Sequence, residues 1–127
     1  MKGAGLTIAV GALLLAVGSA PAADKAKTSL YFTDAYPTGP NSSYYEGSIA
    51  SAKKACANDR KVTVFVTLGD QKQKVGSTRS QKIGNLGYEW VLDQNEPFQK
   101  GTYTAKAPET DKCKPAKASY GVSWRSG

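Results

Sequence analysis

Hydrophobic and polar residues alternate most clearly over residues 61–68. Valines at every second position share one face of an extended chain with Leu68, whereas Phe65 lies on the opposite face between two threonines. Because a half-buried strand has this period of two, the segment predicts a central strand of the hydrophobic core.

A hairpin is predicted directly after this strand. Gly69 and Asp70 are turn-forming residues, and the chain then returns over residues 73–78 with Val75 as its main inward-facing residue. The polar, glycine-containing residues 80–87 that follow predict a loop.

Further alternating segments are separated by Gly, Pro, Asn or Asp, and no helical period extends beyond a turn or two. Trp90 shares a face with Tyr88 and Leu92, which predicts a buried tryptophan. The other segments are residues 46–51, 101–107 and 120–124, with an extended piece near residue 30. These segments predict an all-β domain of roughly six or seven strands. A β-sandwich buries one face of each sheet, and a small closed barrel is the alternative.

Residues 1–23 are typical of a secretory signal peptide. Lys2 precedes an apolar run over residues 6–17, and small residues follow up to Ala23. The run is shorter than the ~20 residues that a membrane-spanning helix needs. We therefore expect cleavage near Ala23, a secreted product and no membrane span in the mature protein.

Residues 24–45 are polar and aromatic and contain Pro37, Gly39 and Pro40. Because proline and glycine interrupt regular structure, this segment predicts an N-terminal arm and loop that lead into the domain. The β-sandwich domain is accordingly expected to span residues 46–127.

Cys56 and Cys113 are the cysteines of the chain, and both lie in the predicted mature part. Export takes them to a compartment in which disulfides form and persist, so we expect them to be bonded to each other. A metal pair or a reactive thiol is the alternative, but the chain has no histidine to complete a zinc site and no C-x-x-C spacing.

The order of motifs from residue 46 onward adds a family resemblance. The motifs are Glu46-Gly47-Ser48-Ile49, Lys54-Ala55-Cys56, Arg60-Lys61-Val62-Thr63-Val64-Phe65, Lys74-Val75-Gly76-Ser77, Gly87-Tyr88-Glu89-Trp90, Gly101-Thr102-Tyr103-Thr104-Ala105-Lys106 and Cys113-Lys114-Pro115-Ala116. This order resembles small secreted actinobacterial immunoglobulin-like domains of the carboxypeptidase-regulatory or prealbumin-like type. The resemblance implies an immunoglobulin-like (prealbumin-like) β-sandwich with one disulfide, which acts as a spacer, an adhesion unit or a binding platform.

The chain is basic, with 17 Lys and Arg against 10 Asp and Glu and a formal net charge of +7. Many basic residues flank the cysteines, so a bond between Cys56 and Cys113 is expected to gather them at one pole. The predicted contact residues for an acidic polymer are Lys53, Lys54, Arg60, Lys61, Lys112, Lys114 and Lys117. Such a cluster attracts phosphate-rich wall polymers, acidic polysaccharide or nucleic acid in a salt-sensitive way. The alternative is a charged surface that only maintains solubility.

Tyr36, Tyr44 and Tyr45 make residues 24–45 unusually aromatic. Exposed tyrosines stack on sugar rings or anchor a partner protein, which makes these residues candidate contacts. The alternative is that they close over one end of the core.

Catalysis is not expected from this sequence. The absence of histidine excludes His-based triads, general bases and metal ligands, and the carboxylates form no recognisable motif. We predict no catalytic residue, no metal site and no cofactor. The sequence favours a secreted, monomeric binding or adhesion module that contacts acidic polymers or the cell wall. The alternatives are a structural spacer or self-associating surface protein without a ligand, and a small secreted inhibitor.

Overall fold

The computed structural model describes residues 24–121. Its strands are β1 (Ser29–Gly39), β2 (Ser42–Ala50), β3 (Lys61–Leu68), β4 (Gln71–Arg79), β5 (Gln81–Lys82), β6 (Tyr88–Gln94), β7 (Thr102–Ala107) and β8 (Ala116–Gly121). A 3-10 turn, Lys54–Cys56, lies between β2 and β3. The predicted all-β class is confirmed, with eight strands among the described residues in place of six or seven.

The strands form two four-stranded antiparallel sheets. The first sheet has the order β1-β2-β6-β5, and the second has the order β4-β3-β7-β8. Successive hairpins alternate between the sheets. The hairpins β1–β2 and β5–β6 belong to the first sheet, and β3–β4 and β7–β8 belong to the second. Residues from the inward faces of both sheets form one hydrophobic core, as expected of a β-sandwich.

The predicted central strand is β3, which pairs with β4 on one side and β7 on the other. Its alternate valines are buried in the core, whereas Phe65 faces outward. Gly69 and Asp70 form the turn to β4, and Gly69 has a φ of 67° that glycine adopts without a Cβ clash. Val75 is buried on β4, so the predicted hairpin and its inward residue are confirmed.

Trp90 lies at the centre of the first sheet's inner face and is fully buried, as predicted. Its Nε1 donates to the carbonyl oxygen of Tyr31 at 3.1 Å, and its ring meets Phe32 edge-on with centroids 5.1 Å apart. Gly47 is the cross-strand partner of Trp90 on β2. A Cβ at Gly47 would lie 1.9 Å from the Tyr31 oxygen and 2.6 Å from the indole ring, so the indole needs a glycine here.

The arm predicted for residues 24–45 is largely part of the first sheet, contrary to expectation. Strand β1 pairs along its length with β2, and Leu30, Phe32 and Ala35 point into the core. A register shift between Phe32 and Asp34 moves the inward positions from even to odd residue numbers, which conceals the strand in the sequence pattern. Pro37 is accommodated because β1 is an edge strand.

Two further differences concern short segments. The predicted polar loop 80–87 contains the two-residue strand β5, and the C-terminal strand β8 begins earlier than predicted. Tyr120 lies on the partly buried face of β8 and packs against Phe32, with ring centroids 5.4 Å apart. Trp124, which ends the predicted segment 120–124, and the predicted signal peptide 1–23 lie outside the described residues.

Candidate functional site

Cys56 and Cys113 are bonded to each other, as predicted, with Cα atoms 5.6 Å apart. Cys56 ends the 3-10 turn in the crossover between the sheets, and Cys113 lies in the loop between β7 and β8. Ala26 bridges Cys113, and its amide donates to the carbonyl oxygen of Lys112 at 2.8 Å. The crossover, the β7–β8 loop and the N-terminal segment therefore meet at one end of the sandwich, which we call the disulfide pole.

Arg60 is not a surface contact residue, contrary to prediction, because only 3% of it is exposed. Its Nη1 donates to Thr28 Oγ1 at 2.8 Å and to the Cys56 carbonyl oxygen at 3.0 Å. Its Nη2 donates to the carbonyl oxygens of Pro108 and Lys114, both at 2.9 Å. The guanidinium thus links the same segments that meet at the disulfide pole. Its Nη donors are used in these hydrogen bonds and do not face a ligand.

The charge of Arg60 is compensated by carbonyl dipoles. The ion pairs among the described residues join Lys25 to Glu109 and Arg79 to Asp59, and neither involves Arg60. Burial lowers the pKa of Arg60, although arginine stays protonated in proteins. The disulfide pole therefore contains a buried positive charge with a structural role.

The other predicted lysines at the pole, Lys53, Lys54, Lys112 and Lys114, are exposed. Acidic side chains share this end of the molecule, since a cleft lined by Lys112 is also lined by Asp59, Glu109 and Asp111. Neighbouring charges of opposite sign weaken the field that a polymer would meet. The pole is consequently a mixed surface.

The outer face of the second sheet is more strongly basic, although Arg79 at its edge pairs with Asp59. The strand register aligns side chains of β4, β3, β7 and β8 in rows across this face. Its basic residues are Lys61, Lys72, Lys74, Arg79, Lys106 and Lys117, and most of the others are threonine or serine. These four strands contain no Asp or Glu. We call this surface the basic face, and Lys61 and Lys117, which were predicted at the pole, belong to it.

Phe65 lies half-buried in the basic face. The Nζ atoms of Lys72 and Lys106 lie 4.6 and 5.4 Å from its ring centroid, within the range of cation–π attraction. Contact with the Lys106 ammonium lowers the pKa of Lys72, and partial desolvation and the charges of Lys106 and Lys117 act in the same direction. Like charges are thus held together around one aromatic ring.

An open apolar groove of about 420 Å³ borders Phe65. Pro108, Pro115 and Ala116 line it, together with the side chains of Lys106 and Lys117. The basic face therefore combines positive charge with a concave apolar surface.

Phe65, Lys72, Lys74 and Lys106 were not among the contact residues predicted from the sequence. The alternation in β3 and β7 does place Phe65 and Lys106 on outward positions, which is the signal available in the sequence. Their proximity depends on the pairing of β3 with β7, which joins distant parts of the chain.

The predicted aromatic contacts belong to two different environments. Tyr45 is a core residue with 1% exposure, and its ring packs against Tyr103 at a centroid distance of 5.2 Å, so its prediction as a contact residue was wrong. Tyr36 is exposed and Tyr44 half-buried on the outer face of the first sheet, with ring centroids 5.1 Å apart. The Tyr44 hydroxyl donates to Glu46 Oε1 at 2.6 Å, and this hydrogen bond, with burial and the carboxylate charge, raises the pKa of Tyr44.

The outer face of the first sheet is acidic and aromatic. Its outward-facing residues on β1, β2 and β6 include Tyr31, Asp34, Tyr36, Tyr44, Glu46, Glu89 and Asp93. These three strands contain no Lys or Arg. We call this surface the acidic face. The two outer faces of the sandwich therefore carry opposite charge, although the chain as a whole is basic.

Within residues 24–121, no three His, Cys, Asp or Glu side chains are grouped so that they could hold a metal ion. No helix in this part of the chain is long and apolar enough to cross a membrane.

A comparison of the chain with known protein families, curated proteins and solved structures finds no match. The resemblance to prealbumin-like domains accordingly stays a prediction from the sequence motifs.

Proposed function

We propose that this protein is an exported, non-catalytic β-sandwich module that binds acidic polymers through its basic face. The observation that carries the proposal is the concentration of lysines on one sheet surface whose four strands contain no carboxylate. The proposed contact surface is thus the second sheet in place of the disulfide pole, and it includes Lys61 and Lys117 of the residues predicted from the sequence.

Crowded lysines make anion binding favourable because like charges repel at short distance. Lys72 and Lys106 share the ring of Phe65, and Lys106 faces Lys117 in the register of β7 and β8. A phosphate or sulfate group between these ammoniums replaces the repulsion by charge-assisted hydrogen bonds. Lysine is a flexible point charge, which suits a polymer with repeated charges better than one planar ligand.

The strand order supports an immunoglobulin-like relationship for this module. If β1 to β8 receive the letters A, B, C, C′, D, E, F and G, the sheets become ABED and C′CFG, an immunoglobulin sandwich with an added C′ strand. The disulfide differs from that of antibody domains, because it joins the B–C and F–G connections in place of strands B and F.

Tyr103 adds support for this relationship. It lies near the start of β7, the strand that corresponds to F, and its hydroxyl accepts from the Gln99 amide and donates to the Gln99 carbonyl oxygen, both at 2.9 Å. The tyrosine corner of immunoglobulin-type sandwiches has the same form, a tyrosine hydroxyl bonded to backbone a few residues upstream.

Export is part of the proposal and is supported by two features. Residues 1–23 have the pattern of a signal peptide. The Cys56–Cys113 bond is of a kind that persists in oxidising compartments outside the cytoplasm.

Retention on immobilised heparin and on a polyphosphate resin tests the polymer-binding proposal. The basic-face variant combines Lys72→Gln, Lys106→Gln and Lys117→Gln, and it should elute at lower salt than the wild-type protein. In a binding titration, the slope of log K against log salt concentration should become shallower by about two to three, because each lost phosphate contact removes about one released counterion.

A matched control neutralises exposed lysines at the disulfide pole with Lys53→Gln, Lys54→Gln and Lys112→Gln. It changes the net charge by the same amount and should be retained almost like the wild-type protein. Equal losses in both variants would mean that net charge alone governs binding, and a larger loss in the pole variant would return the contact surface to the pole. Either result contradicts the proposal.

A further inference from the structure

The two outer faces of the sandwich carry opposite charge, and polymer binding accounts for only the basic one. An acidic polymer is attracted by the basic face and repelled by the acidic face on the opposite side of the sandwich, so polymer binding does not explain the acidic face. The carboxylates of Asp34, Glu46, Glu89 and Asp93 lie on strands that contain no basic residue. A partner that complements this face would present positive charge over a broad, flat surface.

We propose that the acidic face of one molecule docks on the basic face of a second copy of the same chain. The two faces have the same architecture, since each is the outer surface of a four-stranded antiparallel sheet. Their charges are complementary: the basic face presents lysines around Phe65, and the acidic face presents carboxylates among tyrosines. Complementary charge of this kind sets orientation and suppresses contacts between like faces.

The acidic face also presents exposed aromatic rings of a kind that the groove of the basic face can accept. Tyr31 and Tyr36 project from the acidic face with 53% and 43% of their surface exposed. The basic face contains the apolar groove of about 420 Å³, which is lined by Lys106 and Lys117 as well as by two prolines, Pro108 and Pro115. A tyrosine ring that enters this groove brings neighbouring carboxylates towards the two lysines. Tyrosine is well suited to such a contact because it combines a large apolar area with a polar end.

The acidic face is partly ordered before any contact forms. The hydrogen bond from Tyr44 to Glu46 orients this carboxylate, and the ring of Tyr44 lies against Tyr36. Groups that are already held in place lose less conformational freedom when a partner binds.

The geometry of this contact produces an open assembly. The acidic and basic faces lie on opposite sides of one sandwich, so each molecule that docks leaves a free acidic face and a free basic face. Such a heterologous contact gives a filament or stack unless a rotation closes it into a ring.

The contact is expected to be weak. Four strands span about 19 Å and six residues along a strand about 20 Å, so each face covers roughly 400 Å². Stable complexes bury about 800 Å² on each partner. The association should therefore depend on concentration and salt, and dilute protein should be monomeric, in line with the expectation from the sequence.

Sedimentation velocity of the mature protein over a range of concentrations tests this proposal. At low salt the weight-average sedimentation coefficient should rise with concentration, and moderate salt should suppress the rise. A coefficient that stays constant up to about 1 mM protein, the weak end of the affinity scale, would overturn the proposal.

Variants of the two faces separate a heterologous contact from any other. The basic-face variant described above keeps its acidic face, and an acidic-face variant with Asp34→Asn, Glu89→Gln and Asp93→Asn keeps its basic face. Each variant alone should associate about tenfold more weakly than the wild-type protein, because each exposed ion pair contributes modestly. An equimolar mixture should form a complex of two chains that does not grow, since the neutralised faces end the assembly.

The pole variant with Lys53→Gln, Lys54→Gln and Lys112→Gln is the matched control, and it should associate like the wild-type protein. If the mixture behaves as the average of its components, or if the pole variant loses association equally, the face-to-face contact is wrong. These measurements contain no polymer, so their outcome is independent of whether heparin or polyphosphate binds. Thermal melting of each variant confirms that it is folded.

Discussion

The structural roles of some single residues in this protein cannot be predicted from their residue type. Arginine is usually an exposed residue, but Arg60 is buried and links backbone segments. Gly47 provides the space in which Trp90 lies. In both cases the role comes from neighbours that are distant in the chain. Substitutions at these positions therefore test the packing directly.

Gly47→Ala is expected to lower the free energy of unfolding by about 3 kcal/mol, because the new methyl group meets the Tyr31 carbonyl and the Trp90 ring. Urea unfolding followed by tryptophan fluorescence measures the change. Gly121→Ala is the control, since a Cβ there meets no atom of the described residues within 4 Å, and it should change stability by less than about 0.5 kcal/mol. Similar stabilities for the two variants would mean that Trp90 does not pack over Gly47.

Arg60→Lys should lower the free energy of unfolding by about 3 kcal/mol, because a lysine ammonium cannot reach all the acceptors that the guanidinium fork reaches. Arg79→Lys is the matched control. It alters an exposed ion pair with Asp59 and should cost less than about 1 kcal/mol. Equal effects, read from urea midpoints, would place Arg60 at the surface.

At the scale of elements, the local sequence pattern predicted strands correctly where hydrophobic and polar residues alternate regularly. Strands β3, β6 and β7 were predicted close to their observed positions, because their inward residues keep one phase. Strand β4 was also predicted, from the turn at Gly69 and the inward Val75, although a register shift beside Val75 changes its phase. Strand β1 was missed since its bulge changes that phase and its Pro and Gly residues are typical of loops. Strand β5 pairs with β6 over two residues, too few to show a period.

The disulfide acts at this scale, because it joins the crossover after β2 to the loop before β8. The sequence separation is 57 residues, and the loss of such a crosslink should lower the free energy of unfolding by about 4 kcal/mol. For a domain of this size we expect a fall in Tm of at least about 15 °C. Calorimetry of a Cys56→Ala, Cys113→Ala double variant provides the measurement, and an unchanged Tm would contradict the prediction.

At the scale of the whole molecule, opposite faces of one sandwich carry opposite charge. Both proposals use the basic face, one for an acidic polymer and the other for the acidic face of a second copy. Under these proposals, an acidic polymer and a second copy of the chain share one surface, and salt weakens both contacts.

Competition between the two contacts follows from their shared surface. A short heparin oligosaccharide at constant ionic strength should return the sedimentation coefficient of concentrated protein to that of single chains. A neutral dextran of similar size is the control and should have no effect. An assembly that persists with bound heparin would show that the two contacts use different surfaces.

The amino-acid sequence alone determined the all-β class, the Cys56–Cys113 pair and the inward position of Trp90. The all-β class and the position of Trp90 follow from an alternation with a period of two, which involves neighbours within a few positions. The disulfide follows from the cysteine count, since two cysteines allow one pairing. The chain also contains the separation of charge by strand, with basic residues absent from β1, β2 and β6 and acidic residues absent from β3, β4, β7 and β8. Only the tertiary structure decided that the first group shares one sheet with β5 and the second group forms the other. Strand order is set by hydrogen-bonded pairing and packing between distant segments, and these interactions turned the placement of charge into an acidic face and a basic face.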